Sequence, residues 1–269
     1  MSDTGILIIV HGSSNPQWVR EVEEAVKGVK GDLPLEVGHL EFSKHETLEH
    51  GIRKLEGKGV KVILAVPLFV SSASTHISEI KYVLGLISAP GVETDLRPVS
   101  SSARFVWVDP MDAHPLILEI IIERIFSLSE GPEEEVLLLA AHGSDEPDFH
   151  QKWEKLLEEI KHLISLRIPF HDIIHGTLLP DNLRQKAEQV SNSGRTVIVV
   201  PLFLSEGYFT NKVIPEKLKG LSYKWNGKTY LPHPLITSWI NEKIKNGISS
   251  ERQKRVVDKD PITFETWFL

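Results

Sequence analysis

Val62-Ile63-Leu64-Ala65-Val66-Pro67-Leu68-Phe69-Val70-Ser71-Ser72-Ala73-Ser74-Thr75-His76-Ile77-Ser78-Glu79 is the stretch on which the reading of this chain turns. It begins as a continuous apolar run rich in β-branched residues. A run of that length suits a parallel strand buried on both faces. It breaks into small hydroxyl residues and ends with His76 and Glu79, three positions apart, where a helix is expected. Open α/β sheets hold ligands in loops at the carboxyl ends of buried strands. The chemistry therefore depends on what else converges on residues 71–76.

Upstream, residues 5–10 read as a first strand that stops at His11-Gly12-Ser13-Ser14. Asn15-Pro16 is a helix start, with Asn as N-cap and Pro in the first turn. Trp18, Val19, Val22, Val26 and Val29 then mark one helical face. Residues 35–42 predict a second strand, and Leu48, Ile52 and Leu55 a second helix. That helix carries His45 and His50 amid Lys44, Glu46 and Glu49, the pattern of a solvated face. Downstream, Ile77, Ile80, Val83 and Leu84 predict a short helix, residues 93–99 a further strand, and Pro115 the start of an apolar helix.

The pattern then repeats. Residues 136–141 and His142-Gly143-Ser144 match the first strand and His11-Gly12-Ser13. Val197-Ile198-Val199-Val200-Pro201-Leu202-Phe203-Leu204-Ser205 matches the opening stretch, and His114-Pro115-Leu116-Ile117 returns as His233-Pro234-Leu235-Ile236. Matched segments in one order predict two tandem α/β halves with flavodoxin-like parallel sheets flanked by helices, facing a central cleft. The boundaries read as 1–128, a Gly-Pro linker at 129–135, 136–248, and a tail at 249–269 that ends in Phe264, Trp267, Phe268 and Leu269.

The 269 residues are 41% hydrophobic and 25% charged, enough for a sizeable core. The net charge of −7 excludes a general polyanion binder, so an anionic ligand needs local donors. The chain has no cysteine, which removes disulfides, thiolate metal sites and a cysteine nucleophile. No signal peptide or membrane span is read, and a cytoplasmic protein is expected. There is no G-x-S-x-G elbow, no G-x-x-x-x-G-K-[ST] loop and no G-x-G-x-x-G. Hydrolase and nucleotide readings thus lack their motifs, and no basic stripe interleaved with aromatics supports nucleic acid.

His11 and His76 each follow a strand. In a flavodoxin-like order those strands are neighbours at the switch point, so both imidazoles can face one cleft. Glu79 shares a helix face with His76. Two imidazoles and a carboxylate can bind a divalent transition metal or move protons near neutral pH. The alternative is that each His is an ordinary loop residue bonded to backbone. Glu41, near the end of the second strand, reaches the same cleft or the plain surface. Ser13, Ser14, Ser71, Ser72 and Ser74 are candidate donors to ligand carboxylates. Counting from Pro67 and Pro201, the second-half counterpart of His76 is Thr210, so His142 is a relic or a wall of the cleft. His114 and His233 read as helix caps.

The strand followed by His11-Gly12-Ser13, the run Val66-Pro67-Leu68-Phe69-Val70 leading to His76, and the doubled layout resemble the class II tetrapyrrole chelatases. This is the sirohydrochlorin cobaltochelatase and ferrochelatase family of cobalamin and sirohaem synthesis. The resemblance covers most of residues 5–245. It implies insertion of a divalent metal (Co2+, Fe2+ or Ni2+, as substrate) into sirohydrochlorin without ATP or an organic cofactor. It places the active-site histidines at His11 and His76, which are also the metal ligands, and the acidic partner at Glu79. Arg97, Arg104 and Lys81 are candidates for the substrate's carboxylates. A monomer is expected, the tandem halves replacing a homodimer, with no nucleic acid or membrane partner. A metal or tetrapyrrole carrier and another His-dependent lyase or hydrolase are the competing readings.

Overall fold

The structure, a computed structural model, describes residues 3–41, 46–191 and 194–259. Phe42, Lys44, His45 and the aromatic end at Phe264, Trp267, Phe268 and Leu269 lie outside the described residues.

The first half runs β1 (Thr4–Val10), α1 (Pro16–Lys27), β2 (Leu35–His39), α2 (Leu48–Gly57), β3 (Val62–Pro67), α3 (Thr75–Val83), β4 (Arg104–Trp107) and α4 (Pro115–Phe126). The second runs β5 (Glu135–Gly143), α5 (Pro147–Ser165), β6 (Asp172–Leu179), α6 (Leu183–Ser191), β7 (Thr196–Pro201), a π-helical turn (Phe209–Val213), α7 (Ile214–Lys217) and α8 (Pro234–Lys259). Both sheets are parallel, in the orders β2-β1-β3-β4 and β6-β5-β7. The continuous apolar runs are the central strands, buried on both faces as their composition requires. The repeat extends to register: Ile9 stands opposite Pro67, and Ala140 opposite Pro201.

The strand expected over residues 93–99 is not formed. Glu93, Asp95 and Arg97 face solvent while Leu96 and Val99 pack on the outer core, an alternation that imitates a strand. Pro98 has no N–H for a ladder, and the segment crosses α3, where Val99 N–H donates to Val83 O at 2.8 Å. The fourth strand is β4, with Trp107 opposite Ala65.

Helix starts follow the sequence. Asn15 Oδ1 accepts from Gln17 N–H at 2.9 Å. His114 Nδ1 accepts from Leu116 N–H at 3.3 Å and His233 Nδ1 from Leu235 N–H at 3.1 Å. The other ring nitrogens reach across the molecule: His114 Nε2 lies 3.4 Å from Glu242 of α8, and His233 Nε2 lies 2.9 Å from Glu123 of α4.

Those reciprocal clasps join helices that have exchanged halves. α4 packs on α5 and β7, and α8 packs on α1, β3 and β4. Gly247 of α8 approaches so closely that a Cβ there would lie 2.5 Å from Leu64 Cδ1 and 3.0 Å from Val108 Cγ1. One buried core accordingly runs from Ile6, Ile8 and Val10 through Ile117, Ile121 and Trp239 to Leu137 and Leu139. α8 continues to Lys259, past Ser249 where a tail is expected to begin. Among the described residues no helix is long and apolar enough to cross a membrane.

Candidate metal centre

Gly12 sets the geometry at the end of β1. Its φ is +98°, and a Cβ would lie 2.1 Å from Glu41 O, so backbone passes where a side chain cannot. That approach lets β2 continue its pairing: Leu40 N–H donates to Val10 O at 2.9 Å and Glu41 N–H to His11 O at 2.8 Å. Glu41 is thereby fixed beside His11, with Oε2 3.9 Å from Nε2.

His76 enters from the first turn of α3. Its ring meets that of His11 edge to face, centroids 4.6 Å apart at 69°. One ligand atom each from His11, Glu41 and His76 lies within 4.8 Å of the others, and this is the one such group among the described residues. His11 and His76 are half-buried and Glu41 is exposed, so the cluster opens to solvent.

Hydrogen bonds settle the tautomers. His11 Nδ1 lies 3.0 Å from Gly12 O, and His76 Nδ1 lies 2.7 Å from Glu79 Oε2. A carbonyl and a carboxylate only accept, so both Nδ1 atoms carry hydrogen. In the neutral rings Nε2 is then the basic nitrogen, the form a metal or an incoming proton requires.

The serines divide. Ser13 Oγ accepts from Asn15 N–H at 3.0 Å, and Ser71, buried, accepts from Ala73 N–H at 2.9 Å, so both serve their own turns. Ser14 and Ser72 are exposed. Ser74 is the N-cap of α3 without a side-chain capping bond. Of the cationic candidates, Arg104 pairs with Glu251 and Lys81 lies 4.9 Å over Trp107, both within the fold. Arg97 and His50 are exposed.

Two neighbours escaped the sequence reading. His39 ends β2 beneath Gly12, and its Nδ1 would lie 3.5 Å from a Cβ there. Burial holds its pKa below the usual 6.5, against Glu46 at 3.6 Å. It stands at the carboxyl end of the edge strand β2, beside the β1 end that leads to His11, which was the available signal. Asp112, at φ +44°, accepts from Ser72 N–H at 2.7 Å while its own N–H donates to Val70 O at 3.0 Å. It ties down the loop that leads to His76. Burial pushes its carboxyl above the usual range, against the pull of Ser72.

In the second half, His142 Nδ1 lies 3.1 Å from Gly143 O, as at His11. Gly143 has φ +74° and closes on Leu179 O as Gly12 closes on Glu41 O. The ring facing His142 is Phe209, centroids 5.1 Å apart at 89°. Thr210, the counterpart counted along the sequence, is buried, its hydroxyl accepting from Gly207 N–H at 2.9 Å. The His11, Glu41 and His76 positions are thus filled by His142, Leu179 and Phe209.

Fold and site together define a doubled parallel α/β protein with two histidines and a carboxylate gathered at its strand ends. The sequence profile of CbiX matches residues 5–128 and again 136–247, and the chain belongs to that family. Curated relatives are about half its length. The sirohydrochlorin cobaltochelatase of Methanopyrus kandleri is 28% identical over 134 residues, 45% of this chain and 93% of its own. That of Methanosarcina acetivorans is 29% identical over 125 residues, 45% of this chain and 93% of its own. Among solved structures, SirB from Bacillus subtilis with Fe3+ superposes with a TM-score of 0.71 at 19% identity, over 93% of this chain and 97% of that one. The sirohydrochlorin chelatase SirB of Bacillus subtilis subspecies spizizenii in complex with cobalt gives 0.62 at 18% identity, over 91% and 94%. At these identities the likeness is one of fold.

Proposed function

We propose that this chain inserts a divalent metal, cobalt first and iron or nickel as alternatives, into sirohydrochlorin without ATP. The observation that carries the reading is the pair of imidazoles 4.6 Å apart at adjoining strand ends, with the Glu41 carboxylate beside them. The names of the relatives supply the substrate.

The reaction exchanges two pyrrolic protons for one M2+ ion, so it needs ligands that strip water from the ion and bases that accept protons. Nε2 of His11, Nε2 of His76 and a Glu41 oxygen serve as transient ligands. A weak, three-donor set lets the ion leave for the macrocycle's four nitrogens. Once vacated, an imidazole near neutral pH accepts a released proton. Glu79 keeps His76 in the ligating tautomer and stabilises the imidazolium that follows. His39 lies beneath Gly12, where burial disfavours its protonation.

The test is the visible spectrum of sirohydrochlorin with cobalt, iron or nickel supplied separately. The wild type shifts the spectrum well above the spontaneous rate, and His11→Ala and His76→Ala do not. Stoichiometric binding without turnover would make the protein a carrier.

A further inference from the structure

α8 carries two working faces. Trp239, Ile240, Ile244 and Gly247 go into the shared core, and its acids serve the first half: Glu242 lies 3.4 Å from His114 Nε2, and Glu251 pairs with Arg104. A second row, Ser238, Asn241, Lys245, Ile248 and Arg252, recurs at positions i, i+3, i+7, i+10 and i+14. Side chains at that spacing share one side of a helix, the pattern of a helix that takes a further segment alongside it.

The C-terminal end of α1 forms the facing wall. Thr237 Oγ1 donates to Ala25 O at 3.0 Å, and a Cβ at Gly28 would lie 2.6 Å from Thr237 Cγ2, so the two helices touch there. Asn241 closes the contact: its Oδ1 accepts from Lys30 N–H at 2.9 Å, and its Nδ2 donates to Gly28 O at 3.5 Å. The row borders a groove of about 730 Å³, with Ile244 and Ile248 as its apolar lining and Lys30, Lys245 and Arg252 as its charged one. These three cations are exposed and make no ion pair among the described residues, and no described acidic residue lines the groove. In a chain of net charge −7, a groove charged in one sense only suits an occupant that is acidic and partly apolar.

The chain itself carries such a segment. Residues 260–269, outside the described residues, read Asp260-Pro261-Ile262-Thr263-Phe264-Glu265-Thr266-Trp267-Phe268-Leu269. They hold acids and no cation among large apolar side chains. The tether is long enough. Arg252 lies seven residues before Lys259 and Lys245 fourteen, about 10 and 21 Å back along the helix. Pro261 disfavours continuing the helix. Glu265, six residues past Lys259, reaches up to about 20 Å from it, within the interval between the two cations.

We propose that residues 260–269 turn back along α8 and occupy the groove between α8 and α1, with Glu265 meeting Arg252 and Lys245 and the apolar side chains covering Ile244 and Ile248. The segment then latches the last helix onto the helix that follows the His11 turn. The latch does not depend on the metal chemistry.

The chain has no cysteine, so an introduced pair reports without background. Ser249 lines the groove; Ser250, exposed and equally near the segment along the chain, does not. Ser249→Cys or Ser250→Cys is combined with Thr266→Cys in the full chain and oxidised with diamide. The latch predicts a disulfide within one chain, read by non-reducing electrophoresis and mass. It should form about tenfold faster or more with Ser249→Cys than with Ser250→Cys, because a held segment has a higher local concentration than a free tether. Adding Lys245→Glu/Arg252→Glu, or the milder Lys245→Gln/Arg252→Gln, should erase the difference. These described positions are exposed, and an unchanged thermal transition verifies that each variant is folded. Equal rates at the two serine positions overturn the latch, as does a difference that survives both charge variants. Disulfides between chains instead of within one would make a second copy the occupant and overturn it as well.

Discussion

At the scale of single residues, the 2.7 Å contact from His76 Nδ1 to Glu79 fixes both the proton and the orientation of a candidate ligand. Glu79→Ala should weaken cobalt binding by about 10- to 100-fold, the usual cost of losing a carboxylate behind a metal-binding His. Calorimetric titration checks this, and the thermal midpoint should move little. Asp112 makes a second case, because Leu231 holds its place in the other half. Asp112→Leu should lower kcat with little change in KM for the ring, and Asp112→Asn should recover part of it, since an amide oxygen still accepts from Ser72 N–H. Steady-state kinetics separate these outcomes. His11 and His76 stood out as candidates because His11 directly follows a run that reads as a buried strand and His76 follows another after a short loop. Asp112 was not: its importance lies in a left-handed backbone and a bond to a residue 40 positions away. Ser71 looked like a ligand donor, and only burial shows that it serves its own turn.

Between elements, the contact that places β4 is made by Glu56 of α2. It accepts from Ser101 Oγ at 2.9 Å, Ser102 N–H at 2.6 Å, Ser102 Oγ at 2.9 Å and Ala103 N–H at 3.3 Å. Burial works against its charge, yet these donors prevail and hold its pKa at about 2 instead of 4.5. A carboxylate depressed by folding contributes stability that is complete above pH 4.5 and fades as pH falls towards 2. Glu56→Gln should therefore cost about 2 kcal/mol at pH 7. Urea unfolding should show the gap between wild type and variant narrowing by pH 3. This clamp also explains why the strand sits at β4 and not at residues 93–99. Alternating polarity was visible in the sequence, but the four-donor grip on the following loop joins residues about 45 apart and leaves no periodic trace. Strands with continuous apolar runs carried their own evidence, and their register repeats between halves.

For the whole molecule, the repeat was readable and the exchange of helices was not. α4 and α8 each present apolar residues for burial, but the sequence does not say which sheet each covers. The answer lies in size at Gly247 and in the paired clasps His114–Glu242 and His233–Glu123. Gly247→Leu should cost about 1–3 kcal/mol by overpacking against Leu64 and Val108. Because one core spans both halves, denaturation should remain a single transition rather than split in two. The most direct measurement is the initial rate of cobalt insertion into sirohydrochlorin, followed by absorbance, for the wild type, His11→Ala and His76→Ala at matched folded concentration. The wild type should exceed the protein-free rate and both variants should fall to it; variants that insert cobalt as fast as the wild type would contradict the assignment of the paired imidazoles.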